Sequence, residues 1–163
     1  MVVFIFLTKG SRPMIIAFYT GKSNGWYGAL IRFITKSEIS HCAIIFSDHG
    51  TVFSATAKGV LYESIENDVV PNSKDWFFLD VPWITEEDEE KIKVFCNAEE
   101  GSKYDYLGVI LGWRNPMYQH RSKWFCSELC RDALLPFTKG LKERWCSPAE
   151  LYRALKHAYI WNT

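Results

Sequence analysis

The chain has 163 residues, of which 48% are hydrophobic and 16% aromatic. This composition predicts a single folded domain with a substantial hydrophobic core and argues against a disordered chain. Lysine plus arginine and aspartate plus glutamate number 19 each, so the formal net charge is zero. This balance does not favour nucleic acid or an anionic membrane as a partner, although a local charged patch is compatible with it. We therefore predict no nucleic-acid partner.

The chain starts with MVVFIFLTKGSRP, in which the apolar run covers only residues 2–7. A secretory signal has a basic start and a longer apolar core, and a membrane-spanning helix needs about 20 residues. We therefore expect a cytoplasmic protein without a stable membrane anchor. Because Met14 begins an ordinary strand pattern, residues 1–13 are interpreted as a flexible or mis-started leader, and residues 14–163 as one domain.

The first half of this domain predicts strands with one helix between them. Residues 14–20 have the pattern of a strand, and residues 26–37 that of an amphipathic helix. Three more strand patterns follow, separated by turn residues, at 41–46, 51–55 and 60–64. Their short connections predict an antiparallel meander.

The second half predicts one more strand and several helices. The strand is WFFLDVPW, which follows the loop-like segment NDVVPNSKD. Helices are predicted after the N-cap residue Thr85, within YDYLGVILGW, from about Phe125, and after Ser147, where Glu150 completes a capping box. Helices and antiparallel strands without internal repeats indicate an α+β domain.

The cysteines number five, an odd count, and without an export signal we expect reduced thiols. No CxxC motif occurs, and no second pair stands at zinc-finger spacing from the CxxxC motif, so neither a metal nor another cofactor is predicted. Cys126 lies in the first turn of its predicted helix, and Cys130 one turn deeper on the face of Leu134. A helix N-terminus stabilises a thiolate, but a lone cysteine is more often a small buried side chain. Both interpretations stay open for Cys126, whereas Cys130 is predicted to pack in the core.

A cysteine nucleophile also needs a base within hydrogen-bonding reach, and the chain has four histidines. His49 lies in the turn SDHG, and His157 lies on the last helix among surface residues. His120 lies in the polar loop before the cysteine helix, and His41 begins the apolar strand HCAIIF. His41 and His120 are therefore the two candidates for a base.

Five segments occur in this order: FYTGKSNGWYGALIRFITKSEISHCAII, GTVFSATAKGVLYESI, YDYLGVIL, WFCSEL and SPAELYRAL. Together they resemble the circularly permuted papain-like (NlpC-like) cysteine amidases and peptidases, most closely the YiiX/YaeF-like branch, from about Met14 to Leu155. In unpermuted papain-like folds the cysteine helix precedes the histidine strand, whereas here His41 precedes Cys126. The resemblance implies an antiparallel sheet packed against helices, a nucleophilic Cys126 at a helix N-terminus, and His41 as its base.

In that family a third residue on the next strand orients the histidine, and relatives carry Glu, His, Asn or Gln there. This chain has Ser54 at that point, with Thr56 two residues further on the same face. A hydroxyl can accept the imidazole N–H but carries no charge to stabilise an imidazolium. Glu63 on the following strand and His120 are the alternatives for orienting His41.

The resemblance also implies pocket residues. Tyr104 and Asp105 match the family pattern and either shape the pocket and donate a hydrogen bond, or serve as a core tyrosine and a capping aspartate. Trp26 is a further candidate for lining a groove, together with Tyr27, Trp113, Tyr118 and Trp124, although most aromatic side chains belong to a core.

The function implied by the resemblance is that of a thiol-dependent amidohydrolase or peptidase. It would cleave an amide or isopeptide bond of a peptide, a peptidoglycan-like molecule or an acyl amide through a thioester on Cys126. One alternative is an acyltransferase or lipid deacylase of the lecithin–retinol acyltransferase-like type, which usually has a second histidine in place of Ser54. Another is a catalytically weak binding module of the same fold. The oligomeric state does not follow from the sequence.

Overall fold

The computed structural model describes residues 12–22, 25–111, 123–142 and 146–162. The strands in these ranges are β1 (Ile15–Tyr19), β2 (His41–Ile45), β3 (Thr51–Thr56), β4 (Gly59–Ser64), β5 (Trp76–Asp80), β6 (Lys103–Tyr104) and β7 (Lys123–Trp124). The helices are α1 (Gly25–Thr35), α2 (Ile65–Asp68), α3 (Glu86–Glu99), α4 (Tyr106–Leu111), α5 (Cys126–Leu134) and α6 (Pro148–Asn162). Short 3₁₀ segments cover Val70–Asp75 and Leu135–Phe137.

Five of the strands form one antiparallel sheet in the order β4-β3-β2-β1-β5. Strand β1 pairs with β2 from Ile15 opposite Ile45 to Tyr19 opposite His41. Strands β6 and β7 form a separate parallel ladder, in which Tyr104 pairs with Trp124. The predicted meander of β2, β3 and β4 is therefore confirmed, as is the α+β class with an antiparallel sheet packed against helices.

Strands β2 and β3 pair over a short distance only. Ile44 pairs with Phe53 and Ile45 with Val52, and no ladder pair joins the two strands nearer to His41. Helix α5 packs against both strands. The sheet is therefore open between β2 and β3 at the end where His41 lies.

The sheet has two apolar faces because side chains alternate along each strand. The larger cluster joins one face to α5 and α6 and includes Ile16, Phe18, Ile44, Phe53, Leu129, Leu134, Leu151 and Leu155. Each fully buried leucine contributes roughly 1.5–3 kcal/mol of transfer free energy, which holds α5 against the sheet. The smaller cluster lies on the other face and includes Ala43, Ile45 and Trp76. By alternation His41 belongs to this second face.

Two helices begin with capping boxes, one at the predicted N-cap Thr85 and the other formed by Ser147 and Glu150 as predicted. The Thr85 hydroxyl oxygen accepts from Asp88 N at 3.2 Å, and Asp88 Oδ2 accepts from Thr85 N at 3.2 Å. At the start of α6, Ser147 Oγ accepts from Glu150 N at 3.2 Å, and Glu150 Oε2 accepts from Ser147 N at 2.9 Å. Such caps typically contribute about 1 kcal/mol each to helix stability. In the described ranges, no helix combines the length and the hydropathy needed to cross a bilayer.

Candidate active site

Helix α5 begins at Cys126, after Phe125 in extended conformation (φ −110°, ψ 163°). The β6–β7 ladder leads the chain into this start, since Asp105 N donates to Trp124 O at 2.9 Å. The Ser127 hydroxyl donates to Cys146 O at 2.8 Å, which ties the first turn to the segment before α6. Cys126 is therefore held at a helix N-terminus, where the helix dipole favours a negative charge.

The sulfur of Cys126 is fully buried beside Cys42 and His41. Burial alone raises a thiol pKa, but hydrogen bonds from the Cys42 thiol and backbone N–H, together with the charge of His41, outweigh it. The pKa of Cys126 is therefore held well below its ordinary value. The Cys42 N–H is available to the sulfur because β2 has already separated from β3 at this residue. The environment favours the thiolate, which is the nucleophilic form.

Burial does not distinguish Cys126, because all five cysteines are buried free thiols. Burial raises the pKa of Cys42 and Cys96, and it raises that of Cys146 to about 12. Cys130 packs in the core as predicted, with its sulfur 3.8 Å from Cys42 Sγ. The lowered pKa of Cys126 therefore reflects its particular neighbours.

His41 is the first residue of β2 and is half-buried. Burial lowers the imidazole pKa, but the negative charge of Cys126 and a hydrogen bond to it raise the pKa above its ordinary value, with smaller contributions from Asp68 and then Glu63. The ring packs edge-on against Trp76, with the centroids 6.0 Å apart. The opposite pKa shifts of Cys126 and His41 describe a thiolate–imidazolium pair.

A cavity of about 260 Å³ lies where β2 and β3 diverge. Cys126 lies behind its wall, with no exposed surface, and borders a much smaller space of about 10 Å³ beside Ile31 of α1. His41 is therefore the member of the pair that faces the larger cavity. The side chains around this cavity include Tyr27, His41, Thr56, Asp68, Trp76 and Tyr104.

Ser54, the expected orienting residue, does not reach this cavity. It is buried within the paired part of β3, opposite Leu61 of β4, and no hydrogen bond joins it to His41 in the described ranges. Thr56 does border the cavity, because it lies two residues nearer the open end of the sheet. Its hydroxyl, however, donates to Gly59 O at 3.3 Å in the β3–β4 turn. The prediction that Ser54 orients His41 is corrected by this placement.

The other predicted alternatives are also not in contact with the imidazole. Glu63 forms an ion pair with Lys58 at 3.8 Å, and it acts on His41 only through its charge. His120 lies outside the described residues.

Asp68 is a carboxylate of the cavity that the sequence analysis missed. It ends α2, whose N-cap Ser64 accepts from Glu66 N at 3.3 Å through its hydroxyl oxygen. Its negative charge contributes more to the raised pKa of His41 than that of Glu63 does. The available signal was a serine followed by acidic residues, which is typical of a helix start.

The predicted pocket residues occupy three different settings. Tyr104 borders the cavity, whereas Asp105 caps α4, with Oδ1 accepting from Gly108 N at 2.9 Å. Trp26 is 73% exposed and does not border the cavity, and its neighbour Tyr27 does. Successive helical residues are turned by about 100°, so the face of α1 that carries Tyr27 inward turns Trp26 to solvent. The Trp26 prediction is therefore corrected, and Trp113 and Tyr118 lie outside the described residues.

The described residues contain no candidate metal site. In the ranges that the structure covers, no group of three or more histidine, cysteine, aspartate or glutamate side chains is arranged to hold a metal ion. The acidic first turn of α3 instead caps its own helix and pairs with lysines of that helix.

Comparison with known proteins adds one relative. A curated Escherichia coli (strain K12) protein described as the probable lipoprotein peptidase YaeF is 28% identical over 156 aligned residues. The alignment covers 74% of this chain and 56% of the relative, so the chain spans little more than half of the relative's length. No protein-family model matches the chain. The resemblance to the YaeF-like branch, predicted from the sequence motifs, is confirmed by this relative.

Proposed function

Starting from this similarity to a YaeF-like protein, we propose that the chain is a cysteine hydrolase that cleaves an amide or isopeptide bond. Cys126 is the proposed nucleophile, and His41 the proposed base and acid. The observation that carries the proposal is the placement of Cys126 at the start of α5, which packs against the strand that His41 begins; there the pKa of Cys126 is lowered and that of His41 is raised. The relative's description as a probable peptidase supports the same reaction class.

In the proposed reaction the Cys126 thiolate attacks the carbonyl carbon of the substrate. A C–S bond forms while the carbonyl electron pair moves onto the oxygen, and collapse of this intermediate breaks the C–N bond. The His41 imidazolium gives its proton to the departing amine, which leaves a thioester on Cys126. Neutral His41 then takes a proton from water as the water attacks the thioester carbonyl, and the C–S bond breaks as this second intermediate collapses. The acid product leaves, and Cys126 is again a thiolate beside the His41 imidazolium.

We also propose the circularly permuted papain-like (NlpC-like) arrangement for this fold. The strand that begins with His41 precedes the helix that begins with Cys126, and that helix packs on the same strand. In this arrangement Asp68, which lies outside the strands, supplies to His41 the negative charge that a serine lacks, and it acts through that charge.

The proposed substrates are a peptide, a peptidoglycan-like molecule or an acyl amide. The cavity of about 260 Å³ is smaller than the roughly 300–1,000 Å³ of pockets for drug-sized ligands. Its tyrosine, tryptophan and aspartate side chains suit a short peptide segment better than a long acyl chain. This size therefore favours amide cleavage over the lipid deacylase alternative.

Selective alkylation tests the proposed nucleophile. At pH 6 a limiting amount of iodoacetamide is expected to modify Cys126 before the other four cysteines, because only the low-pKa thiol is ionised there. Tryptic mass spectrometry after brief exposure measures which cysteine carries the label. Equal or slower labelling of Cys126 would contradict the proposal and favour a binding module in which the buried thiol only packs.

Replacing Asp68 with asparagine is expected to weaken the Cys126–His41 pair without abolishing it. Loss of the nearby negative charge lowers the pKa of His41, so the imidazolium loses its proton at a pH lower by about half a unit. An NMR titration of the His41 ring measures this shift. Glu66→Gln is the matched control, since Glu66 is exposed on the same helix. Identical titration curves for the two variants would argue against Asp68 as the positioning residue.

A further inference from the structure

Two of the side chains that line the cavity carry a hydrogen-bond donor that has no acceptor in the protein. They are Tyr27, through Oη, and Trp76, through Nε1, and both atoms are buried. In the described ranges, the only other buried side-chain oxygens or nitrogens without a partner belong to the carboxylates of Asp105 and Glu128. A buried donor without an acceptor is unfavourable, and folded proteins rarely keep one without a reason. Two such donors around one cavity indicate that the cavity is built for a ligand that carries acceptor oxygens.

Of the two donors, Tyr27 lies on the side of the nucleophile. The negative charge of Cys126 acts on its hydroxyl, whereas the Trp76 ring contacts His41. Burial is the largest cause that raises the pKa of Tyr27, so this phenol keeps its proton at neutral pH and can donate or accept a hydrogen bond. The Tyr104 hydroxyl donates toward the Tyr27 oxygen, so the Tyr27 O–H keeps its own hydrogen for another acceptor.

The ring of Tyr27 is held by its aromatic neighbours. Tyr104 and Tyr106 each pack edge-on against it, with centroids 5.3 Å away in both contacts. The Tyr106 hydroxyl points elsewhere and donates to Ala57 O at 3.1 Å. A donor that is fixed before substrate arrives costs little reorganisation during reaction, which is the property that oxyanion-stabilising groups require.

We propose that Tyr27 is a catalytic residue whose hydroxyl donates a hydrogen bond to the substrate carbonyl oxygen as Cys126 attacks. This inference rests on the proposed function and adds a residue to it. As the C–S bond forms, the carbonyl π electrons move to the oxygen, and the Tyr27 O–H stabilises the resulting anion while keeping its own proton. When the intermediate collapses, the pair returns to the carbonyl and the hydrogen bond weakens. Trp76 N–H stays available to a second acceptor of the substrate.

Two electrophiles distinguish oxyanion stabilisation by Tyr27 from a general effect of the substitution on the reactivity of the Cys126 thiol. p-Nitrophenyl acetate acylates a thiolate through a tetrahedral oxyanion, whereas iodoacetamide alkylates it at a saturated carbon without one. Tyr27→Phe is expected to slow acylation by about 100-fold, the loss typical of removing one oxyanion donor, and to leave alkylation within about twofold. Tyr106→Phe is the matched control, since it removes a phenol from the same aromatic group but not from the cavity. We expect it to change neither rate.

The outcomes distinguish the inference from the function on which it rests. Equal slowing of both reactions by Tyr27→Phe, or no slowing of acylation, would overturn the assignment of Tyr27 alone. A wild-type protein that reacts with neither probe faster than Cys126→Ala would overturn the proposed function and this inference with it. Thermal unfolding shows that the variant is folded, and its midpoint is expected to change little, because the Tyr27 O–H donates to no acceptor in the protein and only its contact with the Tyr104 hydroxyl is lost. An alkylation rate of Tyr27→Phe close to that of the wild type shows that the Cys126–His41 pair is intact in the variant.

Discussion

Replacing Cys126 with alanine is expected to abolish hydrolysis of amide and ester substrates, with a loss of at least about 10⁴-fold in rate. The reason is that the proposed reaction proceeds through a thioester on this sulfur, and none of the other cysteines has the same neighbours. Cys42 lies closest to it but has a raised pKa, so it cannot take over as a thiolate near neutral pH. The measurement is the release of p-nitrophenol, or of an amine from a peptide library, by purified protein.

Cys130→Ala provides a matched control for this variant. Cys130 lies one turn deeper in α5 and is equally buried, so the substitution removes the same atoms from the same helix. It is expected to lower the unfolding midpoint slightly and to leave the hydrolysis rate nearly unchanged. If Cys126→Ala and Cys130→Ala have equal effects on hydrolysis, the sulfur of Cys126 is not the nucleophile.

Replacing His41 with asparagine is expected to raise the pKa of Cys126 strongly and to slow its alkylation at pH 6 by at least about 30-fold. In the wild type the thiolate forms above the lowered pKa of Cys126, and its cationic partner is lost above the raised pKa of His41. The thiolate persists after His41 loses its proton, so the alkylation rate rises through the lowered pKa of Cys126 and does not fall again at higher pH. Without the imidazolium, burial opposes ionisation, and the thiolate forms only at or above about pH 8.5. At pH 6 an ordinary thiol is about 0.3% ionised, and the higher nucleophilicity of a high-pKa thiolate recovers part of that loss.

The measurement is the rate of iodoacetamide alkylation between pH 4 and 10, with His49→Asn as the control. His49 lies in the β2–β3 turn with φ 52°, a conformation that asparagine tolerates, and its Nε2 lies 3.1 Å from Pro13 O. The control is expected to keep the wild-type rate at acidic pH. A His41→Asn variant that also keeps it would show that the helix N-terminus and Cys42 alone ionise the thiol.

The positions of Cys126 and His41 in their elements could be predicted from local pattern. A strand that begins with histidine and a helix that begins after Phe125 both follow from the periodicity of a few neighbouring residues. The capping boxes at Thr85 and Ser147 were predictable for the same reason, since each needs only four consecutive residues.

The remaining parts of the candidate site depend on tertiary contacts that a local pattern does not contain. Asp68 reaches the cavity because the four-residue helix that follows β4 brings it to the sheet face on which His41 lies, and the sequence that follows it resembles an ordinary loop. Ser54 has the polarity of an orienting residue, but it is buried opposite Leu61 of β4 and does not border the cavity. Tyr27 and Trp26 are adjacent aromatic residues, and only the packing of α1 decides which of them turns inward.

The early separation of β2 and β3 has a consequence for how the chemistry and the fold are connected. At Cys42 strand β2 is paired with β1 but not with β3, and the backbone N–H that would bind β3 binds the sulfur of Cys126. The thiolate thus acts as an acceptor that completes the hydrogen bonding of the sheet edge. In the proposed reaction, acylation of the sulfur removes the charge of that acceptor and weakens its hydrogen bond with the Cys42 N–H. Hydrolysis of the proposed thioester then restores both the charge and the hydrogen bond.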